Sequence, residues 1–452
     1  MRVHEPDRQL MKEHGYGQVA HVPFLLADDG SYLREPNRYL RERALLEWLP
    51  EDATATSDAV VANTPCKKLS YPTVKTLMTM AAKLINFLMW CASKPIDWRA
   101  AEYTRDIVNG YQADMKSGVW SKKKKPLGGR TINQRGSEAT LFLTWSEQSG
   151  YRSKTAPAFR VPRRKVKRTR SSGESSRKSF QEHDTRAGKA NVAPQLFFLP
   201  EPEDVANWLR RIYLNRGRVK GLCSELILET AIRVTECISW RVDVLDKDPS
   251  KWKVRGGEVH VIMSAGTKGS RPTPTDVDGP QRVVKLPIPL ANKLHAYRMN
   301  ERESQLARWI RAAKTPEEKL ERRRSPEPER LFLGERSNRP FSARMLGRVW
   351  STTPGCGEGW SPHKGRHYCA CQKLIEITIE KAKAADCSLS NLNPDWLSGA
   401  LSNDITIVIR PLLGHVSEET TNIYLEWLRT WFAAQTGTGP LRWQDYLEGD
   451  SL

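Results

Sequence analysis

The sequence predicts a mostly α-helical protein with a small antiparallel sheet, divided between a helical N-terminal region and a mixed α+β region. Three observations point there. Apolar residues recur at helical spacing over 71–91 and in several later stretches. One segment, 258–264, alternates as a half-buried strand does, and 282–288 supplies it a partner. Between the two regions, residues 151–197 hold no apolar period at all.

A chain of 452 residues is too long for one core and implies several domains. Composition shifts divide it into an N-terminal extension (1–62), a helical domain (63–150), a basic linker (151–197), a mixed domain (198–435) and a C-terminal tail (436–452). No stretch reads as long enough to span a bilayer, and the charged first residues lack the apolar core of a signal peptide. An intracellular protein with no membrane partner is therefore expected. The formal charge of +20 and the pI near 9.6 favour a polyanionic partner, nucleic acid above all.

In the first region, helices are expected at 37–49, 71–91, 102–116 and 131–149. Pro72-Thr73 marks the start of the second. Lys122, Lys123, Lys124 and Lys125 lie between the last two; four adjacent lysines cannot all face a core, and the run is either an ordinary solvated loop or, beside a DNA-binding helical unit, a contact to phosphates. Residues 154–178 contain ten Lys or Arg and one acid, Glu174, which predicts an extended or disordered segment. Its Arg163, Arg164, Lys165, Lys167 and Arg168 are placed to follow a DNA backbone. In the second region, Pro200-Glu201-Pro202-Glu203-Asp204 starts a helix. A single apolar helix is expected over 221–240, and others at 291–313, 342–350, 363–385 and 417–435. The eight cysteines show no paired spacing, so they read as reduced core thiols rather than zinc ligands.

Four short motifs carry chemistry. Arg233, in Thr230-Ala231-Ile232-Arg233-Val234-Thr235-Glu236, interrupts an apolar stretch; a buried Arg needs partners, and Glu236 one turn later can orient it. Lys268 sits in Gly266-Thr267-Lys268-Gly269-Ser270, a hairpin tip after the alternating strand. Ser361-Pro362 puts His363 and Arg366 on the first turn of a helix, on one face. Gly414-His415 precedes Ser417, a good N-cap, and Tyr424 follows two turns into that helix. Each alone is more ordinarily a structural pair, a solvated turn, a basic surface cluster and a packing residue.

Taken in order, the Arg, the Lys, His-x-x-Arg, Leu-Gly-His and the Tyr resemble the catalytic domain of the tyrosine recombinase family, the phage-integrase-like site-specific recombinases. The nine-residue step from His415 to Tyr424 is the family's step. The resemblance covers about 198–435, and the helical region is similar to that family's core-binding domain. It implies that Tyr424 attacks a DNA phosphodiester to give a 3′-phosphotyrosyl link, the protein closing on DNA as a C-shaped clamp. It further implies that Arg233 and Arg366 bind the phosphate oxygens, that Lys268 protonates the departing 5′ oxygen, and that His363 and His415 assist proton transfer. Glu236 would support Arg233. The implied partners are double-stranded DNA with inverted half-sites, further copies forming a dimer and tetramer, and accessory DNA-bending or directionality proteins. The setting would be a mobile element, its integration or transposition, at the nucleoid of a bacterial or phage system.

The physics suits those roles. A free phenol has a pKa of about 10 and needs a base or a positive field to act at neutral pH. Two planar guanidiniums can neutralise the charge a transferring phosphate gains. No metal, ATP or other cofactor is called for, and the sequence offers no phosphate-cradling Gly-rich loop or carboxylate cluster. Some features depart from the family pattern. The loop 266–282 is long, and Lys285 or Arg271 stands in for Lys268 if its register differs. Lys364-Gly365 fills the middle of His-x-x-Arg. Insertions are expected at 301–330 and 381–404. The competing readings are a non-catalytic DNA-binding protein of this fold, or a relaxing topoisomerase or telomere resolvase with the same nucleophile.

Overall fold

The computed structural model describes residues 1–50, 71–152, 159–168, 181–192, 199–269, 278–334, 339–384, 386, 404–414, 424 and 427–428. His415, Arg271, Cys66, Cys387, nearly all of the expected helix 417–435, most of the insertion 381–404 and the tail 436–452 lie outside the described residues. The described chain up to Val192 forms one compact unit and that from Leu199 onward another.

The first unit opens with β1 (Arg2–His4), α1 (Arg8–Glu13), β2 (Phe24–Leu26) and α2 (Arg34–Leu45). It continues with α3 (Val74–Ser93), the wide-turned α4 (Tyr103–Gln112) running into α5 (Ala113–Ser117), and α6 (Gly129–Gln148). Thr73 caps α3 by accepting from the Thr76 N–H at 3.2 Å, as Pro72-Thr73 predicts. Val22, Leu25, Tyr39 and Leu40 of the first fifty residues share one core with Leu77, Leu84, Phe142 and Trp145. Such burial contributes roughly 1.5–3 kcal/mol per large side chain. By length and composition α3 could cross a membrane, which corrects the reading that no stretch is long enough; its Leu77, Ala81, Leu84 and Leu88 are buried in this core.

The basic segment is not wholly without structure. β3 (Arg163–Arg168) pairs antiparallel with β4 (Gln181–Arg186), where composition predicts an extended or disordered linker. The ladder satisfies backbone groups whatever the side chains are, which composition does not register. Arg186 anchors one end, buried against Tyr103 with Nη1 donating to its hydroxyl at 3.0 Å.

The second unit begins with α7 (Pro202–Arg216), with Pro202 in its first turn and Glu203 and Asp204 at its positive end. Then come α8 (Arg218–Thr230) and α9 (Val234–Ile238), where the sequence predicts one continuous helix. The break is at Ala231, whose φ of 50° is left-handed. No Gly or Pro signals it, and the conformation costs a non-glycine residue about 1 kcal/mol. A three-stranded antiparallel sheet follows: β5 (Val254–Arg255), β6 (Glu258–Ala265) and β7 (Asp278–Pro287), with Val261 opposite Val284 and Met263 opposite Arg282. After it come α10 (Ile288–Ala296), continuing through Tyr297–Glu301 into α11 (Arg302–Arg311), and α12 (Pro316–Arg324). The remaining elements are α13 (Ala343–Thr352), α14 (Pro362–Ala384), and α15 (Ile405–Ile409), which runs into α16 (Arg410–Leu413).

Trp208, Trp350 and Trp360 form the core beside the start of α14, with ring centroids 4.5 Å apart for the first pair and 5.2 Å for Trp350 and Trp360. Gly365 is required there: a Cβ on it would meet the Trp350 ring at 2.2 Å. The departure at the middle of the His-x-x-Arg motif therefore has a packing cause. The cysteines 91, 223, 237, 369 and 371 are free and buried.

Candidate functional site

The site is built where α8 stops. The turn at Ala231 leaves Arg233 as the N-cap of α9, not inside a helix as the sequence predicts. Glu236, fully buried, reaches back to it twice. One carboxylate oxygen accepts from the Arg233 backbone N–H at 2.7 Å, the other from its guanidinium at 3.0 Å. Arg233 is thereby held by its backbone and its head at once, and its Nη2 donates to the carbonyls of Leu413 at 3.2 Å and Gly414 at 3.1 Å.

Arg366 arrives from α14. Ser361 accepts from the Lys364 N–H at 3.4 Å, and Pro362 opens the helix, so His363, Arg366 and His367 lie on its first turns. Arg366 is 2 % exposed and donates to the Ala231 and Leu413 carbonyls. The two arginines, 133 residues apart in sequence (366 − 233), thus meet on one oxygen, that of Leu413. The left-handed turn at Ala231 supplies the carbonyl that fixes the second of them.

A third guanidinium joins them. On β7, Arg282 occupies the same face as the buried Val284 and Leu286, two and four residues on. Its Nη2 lies 3.6 Å from Glu236, while Nε and Nη1 are buried without a hydrogen-bond partner among the described residues. Gly414, at φ 53°, lets the chain pass close: a Cβ there would come within 2.8 Å of Arg282 Nη1. Desolvation by burial, with Arg233 adding to it, lowers Arg282 from its ordinary range. Arg366 is pulled down to about 9 by burial and then by Arg233, and it remains cationic at neutral pH. Among the described residues, Glu236 is the one carboxylate of this cluster: it pairs with Arg233 and Arg282 and acts on Arg366 through space, which leaves an excess of two positive charges among these four side chains.

Tyr424 is fully buried, in a cluster with Cys369, Cys371, Leu374 and Leu413. Its hydroxyl is hydrogen-bonded to Nδ1 of His367. Nε2 of His367 in turn lies 3.0 Å from Nε2 of His363. Burial pushes the Tyr424 hydroxyl up from its usual value; Arg366 opposes this and is outweighed. His363 keeps an exposed edge, yet desolvation, followed by Arg366 and Arg233, lowers it below the usual imidazole range.

Of the residues expected from sequence, Arg233, Glu236, Arg366, His363 and Tyr424 are linked through these contacts. Lys268 is exposed on the turn leaving β6 and makes no hydrogen bond or ion pair among the described residues. The root of that turn is nevertheless pinned to α9: the Thr235 hydroxyl donates to the Gly266 carbonyl at 3.1 Å. Lys285, the alternative, faces Glu258 at 3.6 Å instead. Lys122 to Lys125, Arg163 and Arg164 are exposed on the first unit. Sequence reasoning missed Arg282 and His367. A signal existed for both: Arg282 is a charge at an inward position of an alternating strand, and His367 lies one helical turn beyond His363.

Among the described residues no group of three or more His, Cys, Asp or Glu could hold a metal ion. A 380 Å³ cavity beside the sheet is lined by Arg241, Trp252, Lys253 and His260, and none of the candidate catalytic residues borders it. The residues above converge on a polar cluster instead of an enclosed small-molecule pocket.

No family model and no curated protein matches the chain. Among solved structures it is similar to the XerH site-specific recombinase bound to its difH substrate, at 14% identity and a TM-score of 0.41, covering 88% of both chains. It is similar also to the Tn1549 transposon integrase in complex with transposon right end DNA, at 14% and 0.36, over 70% of this chain and 81% of that one. The XerA recombinase aligns at 15% and 0.30, over 88% and 98%. Likenesses of this depth leave the chemistry to be read from the side chains.

Proposed function

We propose that the protein cleaves and rejoins DNA as a site-specific recombinase or integrase, with Tyr424 as nucleophile. The observation that carries this reading is the excess of two positive charges among Arg233, Arg282, Arg366 and Glu236, beside a tyrosine whose hydroxyl is bound to an imidazole. Buried charge of one sign calls for a partner of the other, and a phosphodiester supplies it. Guanidiniums hold phosphate oxygens bidentately and stabilise the charge that grows on them in the transition state. A protein that merely binds DNA has no use for a tyrosine held in this way.

In the reaction, Tyr424 Oη forms a bond to phosphorus and the bond to the 5′ oxygen breaks. A 3′-phosphotyrosyl intermediate results, which the 5′ hydroxyl of a second strand later attacks. Lys268, on its exposed turn, is the acid for the departing oxygen, and His415 assists. Storage of the phosphodiester in the tyrosyl link makes ATP and metal unnecessary. Lys122 to Lys125, Arg163, Arg164, Lys165, Lys167 and Arg168 follow the duplex backbone. Inverted half-sites are bound by a dimer, two of which pair as a tetramer, in service of a mobile element at the nucleoid.

The test uses a duplex that the protein selects from a random-sequence pool, nicked so that the cleaved strand diffuses away. Wild-type protein forms an SDS-resistant covalent adduct with it. Tyr424→Phe binds the same duplex and forms none. An undiminished adduct in that variant overturns the assignment.

A further inference from the structure

We infer that His367 is the base that takes the proton of Tyr424, with His363 as its relay partner; this rests on the function proposed above. The geometry sets the proton positions. For Nδ1 of His367 to accept from the Tyr424 hydroxyl, its own proton must sit on Nε2. That Nε2–H then donates across 3.0 Å to Nε2 of His363, whose proton is therefore on Nδ1. The two rings, with centroids 4.3 Å apart and nearly perpendicular, stand one helical turn apart on a single face of α14. A neutral imidazole here does what a carboxylate does for the histidine of other nucleophile–base pairs: it fixes the tautomer of the base.

The surroundings act on the relay partner. Arg366 on α14 and Arg233 at the start of α9 lie near enough to hold His363 below its ordinary range, and burial acts in the same direction. Glu236, the carboxylate of the cluster, is engaged by Arg233 and Arg282. Among the described residues, the thiols of Cys369 and Cys371 on α14 also act on Tyr424, and burial keeps them protonated. Only a neutral imidazole can accept the tyrosine's proton; an imidazolium cannot. On attack, the proton passes from Tyr424 Oη to His367 Nδ1 as the Oη–phosphorus bond forms. The electron pair of the breaking bond goes to the 5′ oxygen, which is protonated separately by Lys268. His367, now cationic, donates more strongly to His363, which shares the charge toward its exposed edge.

Two variants separate a base from a support. His367→Asn keeps an acceptor near the tyrosine hydroxyl but takes no proton; His367→Ala removes both. In single-turnover adduct formation with the nicked duplex above, each is expected to lose roughly 10²–10⁴-fold, the usual contribution of a general base. The defect should shrink as pH rises and hydroxide takes over. It should persist on a duplex with sulfur at the bridging 5′ position, whose leaving group needs no proton. Melting temperature and duplex binding, measured alongside, keep loss of folding apart. Wild-type rate in His367→Asn would reduce His367 to a hydrogen-bonding support and overturn the proposal. Faster cleavage in His367→Ala would make it a clamp on the nucleophile, and rescue by the sulfur substrate would move it to the leaving-group side. Absence of any wild-type adduct would instead sink the recombinase reading itself.

Discussion

Two buried arginine environments in the second unit differ in one respect. Arg302, 1 % exposed at the start of α11, donates to the carbonyls of Leu331, Pro328 and Arg330 and pairs with Glu327. Each of its three nitrogens donates to protein, and together they tie the start of the charged insertion 301–330 to its end. Among the described residues, Arg282, Arg233 and Arg366 have one carboxylate between them, and two nitrogens of Arg282 have no acceptor. A guanidinium with an acceptor at every nitrogen stabilises; one with nitrogens left over is held at a cost and implies a ligand. The distinction lies in the acceptor count, since burial alone would have called all four structural.

That contrast can be broken or sharpened by substitution. The largest effect is expected where the phosphate oxygens would sit. Arg366→Ala and Arg233→Ala should each lower the single-turnover cleavage rate by roughly 10²–10³-fold, as loss of one donor to a developing oxyanion does. Equal rates in either variant would remove that arginine from the reaction. Arg302→Met should leave cleavage per folded molecule unchanged and lower unfolding stability by on the order of 3 kcal/mol, because three carbonyls and a carboxylate lose their donor. Arg282→Met should do the reverse, slowing cleavage by about tenfold while raising the melting temperature, since an under-paired charge leaves the interior. A fall in melting temperature with no loss of cleavage would make Arg282 another Arg302.

The smallest effect is on pH dependence. His363 is lowered by burial, Arg366 and Arg233, so its neutral form survives into more acidic solution than that of a free imidazole. Adduct formation is expected to hold as pH falls through about 6.5 and to decline only below it, when the His363–His367 pair takes up a proton. A decline centred above that value would show that the arginines do not act on the pair.

Periodicity made the helices of the first unit readable, because α3 and α6 bury one face each and α3 carries its cap signal in Pro72-Thr73. The strands β6 and β7 were readable for the same reason at period two. The end of α8 was not: Ala231 is a strong helix former, yet its backbone is left-handed and ends the helix. The β3–β4 pairing was hidden by a composition that reads as linker. The motif order of Arg233, Lys268, His363, Arg366, His415 and Tyr424 suggested the chemistry, and Arg282 and His367 escaped it.

What the sequence by itself determined was residue identity, spacing and period: which side chains carry charge, which helix presents His363 and Arg366 together, and where Tyr424 falls after Gly414. Tertiary structure alone decided that Arg233 and Arg366 share the Leu413 carbonyl, that Arg282 joins them around Glu236, and that His367 is the ring on the tyrosine hydroxyl. The physical reason is range. Backbone period and capping act over a few residues, whereas acceptor sharing depends on where distant turns bring their carbonyls, and no local pattern encodes that.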